Sequence, residues 1–320
     1  MTAVDHILAP VDGSSLAECV LPHTVSLARA FDARVTVLRV VERTSEREGN
    51  RIVDPLNWHI RKAEAEAYLD QVVGRLREVG LRVERVLLEG NAAERIVEFA
   101  HAEEVDLIAL SSHGRSGLSQ WNINSVVQKV IWRAFLPTLI VRAYRPITSD
   151  LTGLQYRRIL VPLDGSQRAE CVLPLARTIA RFHMCPLLLT HVVSRPEVPR
   201  RVPLTEMESE LVQKLVDRNR EKGREYLRQL GSRFDSGVET RLVVGDSTAV
   251  SLHELVDHER IDLVALSAHG YSGEARWPYG SVALNFIAYG TTPLLIVQDL
   301  SREELERTQA QMAAEESKGH

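Results

Sequence analysis

Short apolar runs alternate with longer segments of helical periodicity along almost the whole chain. Ile7 to Val11, Arg34 to Val41, Val83 to Leu88, Val105 to Leu110 and Thr138 to Val141 are short and rich in Val, Ile and Leu. That length and content suit strands buried on both faces. Between them, helical spacing predicts helices from Ser14 to about Phe31, 57–79, 92–102 and 124–135. Ser14-Ser15 with Glu18 reads as a capping box, and Gly80 as the glycine that closes the second helix. Residues 42–55 are polar and irregular, and the charges at Arg61, Lys62, Glu64 and Glu66 read as a solvated helix face. The second half predicts strands near 158–163, 186–193, 238–244, 261–267 and 294–298, with helices near 168–182, 205–230, 248–258 and 281–289. Strict alternation means parallel sheets wound by right-handed crossovers. The expected fold class is α/β, as two tandem doubly wound five-stranded parallel sheets.

The two halves repeat each other in residues as well as in pattern. Asp12-Gly13-Ser14-Ser15-Leu16-Ala17-Glu18-Cys19-Val20-Leu21-Pro22 matches Asp164-Gly165-Ser166-Gln167-Arg168-Ala169-Glu170-Cys171-Val172-Leu173-Pro174. Likewise Ile108-Ala109-Leu110-Ser111-Ser112-His113-Gly114-Arg115-Ser116-Gly117 matches the apolar run ending at Leu266 and the loop Ser267-Ala268-His269-Gly270-Tyr271-Ser272-Gly273. The chain is a tandem duplication. The expected domains are 1–145 and 157–299, with a linker at 146–156 carrying Pro146, Thr148, Ser149, Thr152 and Gly153, and a charged helical or disordered tail over 300–320.

The loop after the fourth strand of each half carries the candidate chemistry. In the second half it runs from a strand's carboxyl end to Gly280-Ser281, where Ser281 is the expected N-cap of an apolar helix. Such a loop aims unpaired N–H groups and the positive end of a helix dipole at an anion, and glycines let a phosphate approach the backbone. The alternative is a turn whose glycines supply positive φ.

At these residues the chain resembles the universal stress protein family in its tandem two-domain form. ATP-binding members of that family carry Gly-x2-Gly-x9-Gly-Ser/Thr here, with an acidic residue just after the first strand. In the second half Ser267 stands for the first glycine, while Gly270, Gly280 and Ser281 match; in the first half Ser111 and Asn124 stand for the first and last glycines, leaving Gly114 and Ser125. The resemblance implies strand order 3-2-1-4-5, an adenine nucleotide alpha hydrolase-like or Rossmann-like arrangement. Strands one and four then flank the point where strand order reverses, and ligands of open sheets bind there. On the family's pattern Asp164 meets the nucleoside, backbone at Pro162, Leu163 and Val193 borders adenine, and Ser267, His269, Gly270, Gly280, Ser281 and Val282 form the phosphate loop. Pro10, Val11, Asp12, Val41, Ser111, Gly114 and Ser125 are the first-half counterparts. The implied ligand is ATP, with or without Mg2+, held preferentially in the second domain because Asn124 fills space that Gly280 leaves open.

Each of these residues has a structural alternative. Asp12 and Asp164 also suit turns in which the carboxylate takes nearby backbone N–H groups. His113 and His269 have no acid or nucleophile beside them in sequence and read as polar loop residues, and Arg115 as a phosphate screen or a solvated side chain. The histidines and carboxylates show no metal-ligand spacing. No Gly-x4-Gly-Lys-Ser/Thr, no Gly-x-Gly-x-x-Gly after the first strand and no Gly-x-Ser-x-Gly occurs, so no machinery for turnover is visible.

Composition narrows the classes further. A chain of 320 residues suits two domains, and 44% apolar with 26% charged residues is ordinary for a globular protein. A net charge of −4 argues against nucleic acid or an anionic membrane as partner. No basic leader, no apolar run long enough to span a bilayer and an odd count of 3 cysteines point to the cytoplasm, with Cys19, Cys171 and Cys185 as small packed side chains. The leading expectation is an ATP-binding stress-response protein that acts by binding and partner interaction rather than as an enzyme. A nucleotide-free scaffold and a slow ATP hydrolase are the alternatives. Thr138-Leu139-Ile140-Val141 and Pro293-Leu294-Leu295-Ile296-Val297 are apolar edge strands on the implied order, so the halves are expected to pair through them, with a homodimer of whole chains as a further expectation.

Overall fold

In each half the glutamate that ends a Ser-x3-Glu stretch is followed four residues later by a proline, and that proline decides the local structure. A computed structural model describes residues 4–42, 55–114, 123–143, 150–196, 205–271, 278–300 and 304. It divides into two compact units, Met1–Gln155 and Tyr156–His320. In the first unit the single helix expected from Ser14 is two: α1 (Ser15–Glu18) and α2 (Leu21–Phe31), with Pro22 in the first turn of α2. Pro22 has no N–H to give to the Glu18 carbonyl, so the ladder breaks there. Pro174 does the same between α6 (Gln167–Glu170) and α7 (Leu173–His183).

The expected capping box also resolves differently. Ser14 Oγ accepts from Ala17 N at 3.1 Å, but Glu18 lies one residue beyond the box position and instead takes Arg75 Nη1 at 2.7 Å. Glu170 repeats this, accepting Tyr226 Oη at 3.1 Å and Arg233 Nη1 at 2.9 Å. These acids tie the short helices to the long ones.

The first unit continues from β1 (His6–Pro10) through β2 (Arg34–Val41), α3 (Pro55–Glu78), β3 (Val83–Glu89), α4 (Ala92–Ala102), β4 (Leu107–Ser111), α5 (Ser125–Ala134) and β5 (Thr138–Val141). Gly80, at φ 86, follows α3 as expected of a closing glycine. The strands pair in parallel in the order β3-β2-β1-β4-β5, with Ile7 opposite both Val35 and Leu107. Ile7, Leu8, Leu107 and Ile108 are fully buried, as central strands covered on both faces must be.

The second unit holds β6 (Ile159–Pro162), β7 (Leu187–Ser194), α8 (Glu206–Gly231), β8 (Val238–Gly245), α9 (Thr248–His258), β9 (Leu263–Ser267), α10 (Ser281–Tyr289) and β10 (Leu294–Val297). Its order is β8-β7-β6-β9-β10, again all parallel. Thr205 and Glu208 form a true capping box on α8. The order 3-2-1-4-5 therefore holds in each unit, and strand order reverses beside β1 and β6 while the strands of each unit stay parallel. The linker residues Pro146, Thr148 and Ser149, and the tail beyond Leu300 apart from Glu304, lie outside the described residues. Among the described residues no helix is long and apolar enough to cross a membrane.

Candidate functional site

β6 and β9 are neighbours in the second sheet, and both end on the same side of it. The loops that leave them open a crevice lined by Pro162, Leu163, Asp164, Ser267, His269, Gly270, Gly280, Ser281 and Val282. All nine were expected there from sequence. Val193 is not among its walls and is buried; Thr190 and Val192 of β7 line it instead. Side chains alternate along a strand, so 190 and 192 share a face that 193 does not. Thr248 and Leu252 of α9 also line the crevice, and no motif marked them.

Asp164 is fixed by its own loop. Its Oδ1 accepts Ser166 N at 2.9 Å and Ser166 Oγ at 2.7 Å, while Oδ2 accepts Tyr271 N. The turn role of this residue is thus real, and the carboxylate is held in one orientation while the residue stays exposed. Gly270 is required by the same contact. A Cβ there would lie 2.1 Å from Asp164 Oδ2, far inside any tolerable distance. The first unit repeats the arrangement: a Cβ at Gly114 would lie 2.1 Å from Asp12 Oδ2, and Asp12 Oδ1 accepts Ser14 N at 2.9 Å and Ser14 Oγ at 2.6 Å. Neither Gly114, Gly270 nor Gly280 has positive φ, so the positive-φ turn does not explain them; Gly13 and Gly165, at φ 86 and 90, are the residues that need it.

Gly280 is a different case. It, and not Ser281, is the N-cap of α10, at φ −74 and ψ 170, and among the described residues no side chain caps the helix. Its own N–H is taken by the Ala268 carbonyl at 2.7 Å, so the groups offered to a ligand belong to the turn that follows. A Cβ at Gly280 would meet nothing nearer than 3.5 Å, ordinary contact, so the fold does not demand glycine here. In the first unit Asn124 caps α5, and its Oδ1 accepts Val126 N at 3.0 Å.

His269 has a partner that sequence reasoning missed. Its Nδ1 lies 2.8 Å from Asp299 Oδ1, which also accepts the His269 backbone N–H at 3.0 Å; both side chains are buried. Asp299 lies just past β10, brought to the crevice by the pairing of β9 with β10. Arg168 Nε lies 3.7 Å from Asp299 Oδ2, and Arg168 also pairs with Glu304. In the first unit His113 Nδ1 instead meets Ser112 Oγ at 2.8 Å, and the Ala143 N–H donates to that hydroxyl at 3.4 Å. Asp299 places a carboxyl where the first unit has Ala143, and no local motif signals it.

The first-unit crevice takes fewer of the expected residues. Asp12, Val41 and Ser125 line it, with Arg39, Arg61, His113 and Asn124; Pro10, Val11, Ser111 and Gly114 do not. Ser111 is buried with its hydroxyl given to backbone, 2.8 Å from both the Leu16 and His113 carbonyl oxygens. Cys19 Sγ lies 3.3 Å from Ser111 Oγ, and Cys171 Sγ 3.5 Å from Ser267 Oγ. Burial raises the Cys19 thiol and pushes Cys171 and Cys185 up to about 11, so all three stay as unreactive thiols at neutral pH. Arg115, Gly117, Ser272 and Gly273 lie outside the described residues. Among the described residues no group of three or more His, Cys, Asp or Glu side chains is arranged to hold a metal.

Comparison with known proteins matches this architecture. The chain is 32% identical over 140 residues to a universal stress protein of Methanocaldococcus jannaschii, covering 42% of this chain and 81% of that one. A universal stress protein of Mycobacterium tuberculosis is 24% identical over 253 residues, 79% of this chain and 78% of that one. The crystal structure of a universal stress protein from Archaeoglobus fulgidus superposes with a TM-score of 0.65 at 17% identity, over 93% of this chain and 99% of that one, a likeness of fold. The model of the universal stress protein family matches twice, at residues 3–142 and 155–298. With the motif, the duplicated sheet and both halves in agreement, this chain belongs to the universal stress protein family.

Proposed function

We propose that this protein binds an adenine nucleotide, ATP, in the second-unit crevice and acts in the stress response through that binding and a partner, rather than by rapid turnover. The observation that carries the reading is the uncapped start of α10 beside a pre-oriented Asp164. A helix start without a cap is an anion site, and a glycine that the fold does not require leaves room for a phosphate. Asp164 would take the nucleoside hydroxyls, Thr190 and Val192 would border the base, and the first turn of α10 would hold the phosphates. Any Mg2+ would enter on the phosphates. Calorimetric titration with ATP at low salt tests this, together with the mass of nucleotide released from freshly purified protein. Saturable binding is expected; no heat at low salt and no released nucleotide would leave the nucleotide-free scaffold as the better reading.

The His269–Asp299 pair favours one second reading, slow ATP hydrolysis, because a histidine oriented by a carboxylate is the usual form of a general base. Turnover that persists unchanged in His269→Ala would remove it. The proposal extends to assembly: β5 and β10 each have one side paired within their own unit, and mutual pairing of these apolar strands would cover the other. Separately expressed halves that remain soluble and fail to associate would count against that pairing.

A further inference from the structure

One wall of the second-unit crevice carries a polar atom that no described residue satisfies. Thr190 of β7 forms part of that wall and is 0% exposed. Its Oγ1 is buried, and among the described residues it has no hydrogen-bond partner. Other threonines buried as deeply are satisfied. Thr24 Oγ1 donates to the Val20 carbonyl at 3.0 Å, Thr36 Oγ1 meets His6 Nε2 at 2.8 Å, and Thr138 Oγ1 donates to the Leu136 carbonyl at 2.9 Å. A buried hydroxyl left unpaired is costly, and such groups are few in native proteins. Branching at Cβ also restricts χ1 of Thr190, so the hydroxyl does not readily turn elsewhere.

This hydroxyl belongs to the second unit alone. Thr190 lies opposite Pro162 in the sheet, and its carbonyl accepts Leu163 N at 2.8 Å. In the first unit Leu38 lies opposite Pro10, its carbonyl accepts Val11 N at 2.8 Å, and its buried side chain has only methyls to offer. The strand order also fixes which end of the crevice Thr190 serves. β7 lies on the far side of β6 from β9, so the crevice runs from the start of α10, past Asp164 after β6, to Thr190. The crevice is otherwise lined by aliphatic side chains such as Val192, Leu252 and Leu266. The Leu163 carbonyl already lies 2.8 Å from His191 Nδ1, and Thr248 Oγ1 lies 2.8 Å from Ser194 Oγ. A buried hydroxyl among aliphatic side chains suits a flat heteroaromatic ring, whose faces pack on the wall while one edge atom hydrogen-bonds.

We propose, resting on the reading that this crevice holds ATP, that Thr190 is a specificity-determining residue whose hydroxyl hydrogen-bonds an edge atom of the base. A hydroxyl both donates and accepts, so the edge atom is a ring nitrogen or the exocyclic amine. Thr190→Val tests this, since it keeps the shape of the side chain and removes the hydroxyl. Without nucleotide its melting temperature is expected to rise, because an unsatisfied buried group is gone. Its ATP affinity, measured by calorimetry, is expected to fall about tenfold. A merely structural role would not give these opposite signs. The triphosphates of 1-deaza-, 3-deaza- and 7-deaza-adenosine and of purine riboside each lack one polar edge atom. One of them should bind wild type and Thr190→Ser more weakly than ATP does, yet bind Thr190→Val as well as ATP does. A lower melting temperature of nucleotide-free Thr190→Val would mean that the hydroxyl already has a partner, protein or water, and would overturn the proposal. ATP affinity unchanged in Thr190→Val, or no analogue that loses its penalty there, would overturn it while leaving ATP in the crevice. A wild-type chain that binds no ATP would overturn both.

Discussion

Asn124 and Gly280 begin equivalent helices on nearly the same backbone. Each donates its N–H to the carbonyl of the residue just past the preceding strand, Ser112 at 3.0 Å and Ala268 at 2.7 Å, and each has a non-helical backbone, ψ 143 and ψ 170. In the first unit the side chain then turns in and satisfies the helix start itself, Oδ1 to Val126 N. In the second no side chain among the described residues does so. A helix start capped from within gains stability and loses its use as an anion site; one left open keeps the site at a cost to the helix. On the proposed reading the duplicated fold puts one loop to two uses, and the difference lies in one side chain, Asn124 against Gly280.

The largest effect expected on that comparison comes from the glycine that both units need. Gly270→Ala and Gly114→Ala each drive a Cβ into an aspartate oxygen, and each should destabilise its unit by about 1–3 kcal/mol. Only Gly270→Ala should also cut ATP affinity, by up to about a hundredfold, because it displaces Asp164 and the loop beside α10. Thermal melting and titration of both variants separate the two outcomes. Equal loss of affinity in Gly114→Ala would show that the units are not functionally distinct.

Exchanging the caps sharpens the comparison directly. Gly280→Asn should lower ATP affinity about tenfold while stabilising the helix by a few tenths of a kcal/mol, and Asn124→Gly should do the reverse in the first unit. Opposite signs in stability and affinity are the signature of a cap competing with a ligand. Affinity and melting temperature falling together in Gly280→Asn would mean that the side chain only disrupts the loop.

How much of this was visible in the sequence depends on the range of the interaction. The strands follow from periodicity and repetition, their order within each unit from the family resemblance, and nine of the ten second-half residues that the resemblance singles out line one crevice. Val193, which the resemblance set beside the base, is not in the crevice wall, because side chains alternate along β7 and Thr190 and Val192 occupy the face that lines it. The phosphate-approach argument suits Gly280, but Gly270 is glycine for the sake of Asp164, a contact between loops far apart in the chain. Ser14 and Glu18 have the look of a capping box, yet Pro22 and Arg75 redirect the local structure. Asp299 was out of reach, since only pairing of β9 with β10 brings it to His269.

That pair gives a smaller test of the same asymmetry. Asp299→Asn keeps an acceptor for the His269 ring but removes the charge, and a few-fold change in ATP affinity with about 1 kcal/mol of stability is expected. Ser112→Ala, which removes the group facing His113, should leave ATP affinity unchanged. A titration in which both variants behave alike would place the two histidines in the same role.

The smallest effect expected is on acid stability, where each unit buries a different histidine. Burial lowers the pKa of both His6 and His183 below the usual 6.5. Each therefore binds fewer protons folded than unfolded between its two pKa values, so stability rises with pH in that window and is lost as pH falls below about 6.5. The slope is at most about 1.4 kcal/mol per pH unit for each ring. The hydrogen bonds separate the two cases. His183 Nδ1 accepts the Tyr156 backbone N–H at 3.2 Å, which only an unprotonated nitrogen can do. His6 donates from Nδ1 to the Glu103 carbonyl at 3.1 Å and meets Thr36 Oγ1 at 2.8 Å through Nε2. The threonine hydroxyl can rotate from donor to acceptor when that ring takes a proton. His183→Gln should accordingly flatten the decline in stability from about pH 7 to 5.5 more than His6→Gln does, measured by denaturant unfolding at each pH. Equal flattening by both variants would mean that desolvation alone, and not the hydrogen-bond partner, sets the acid response.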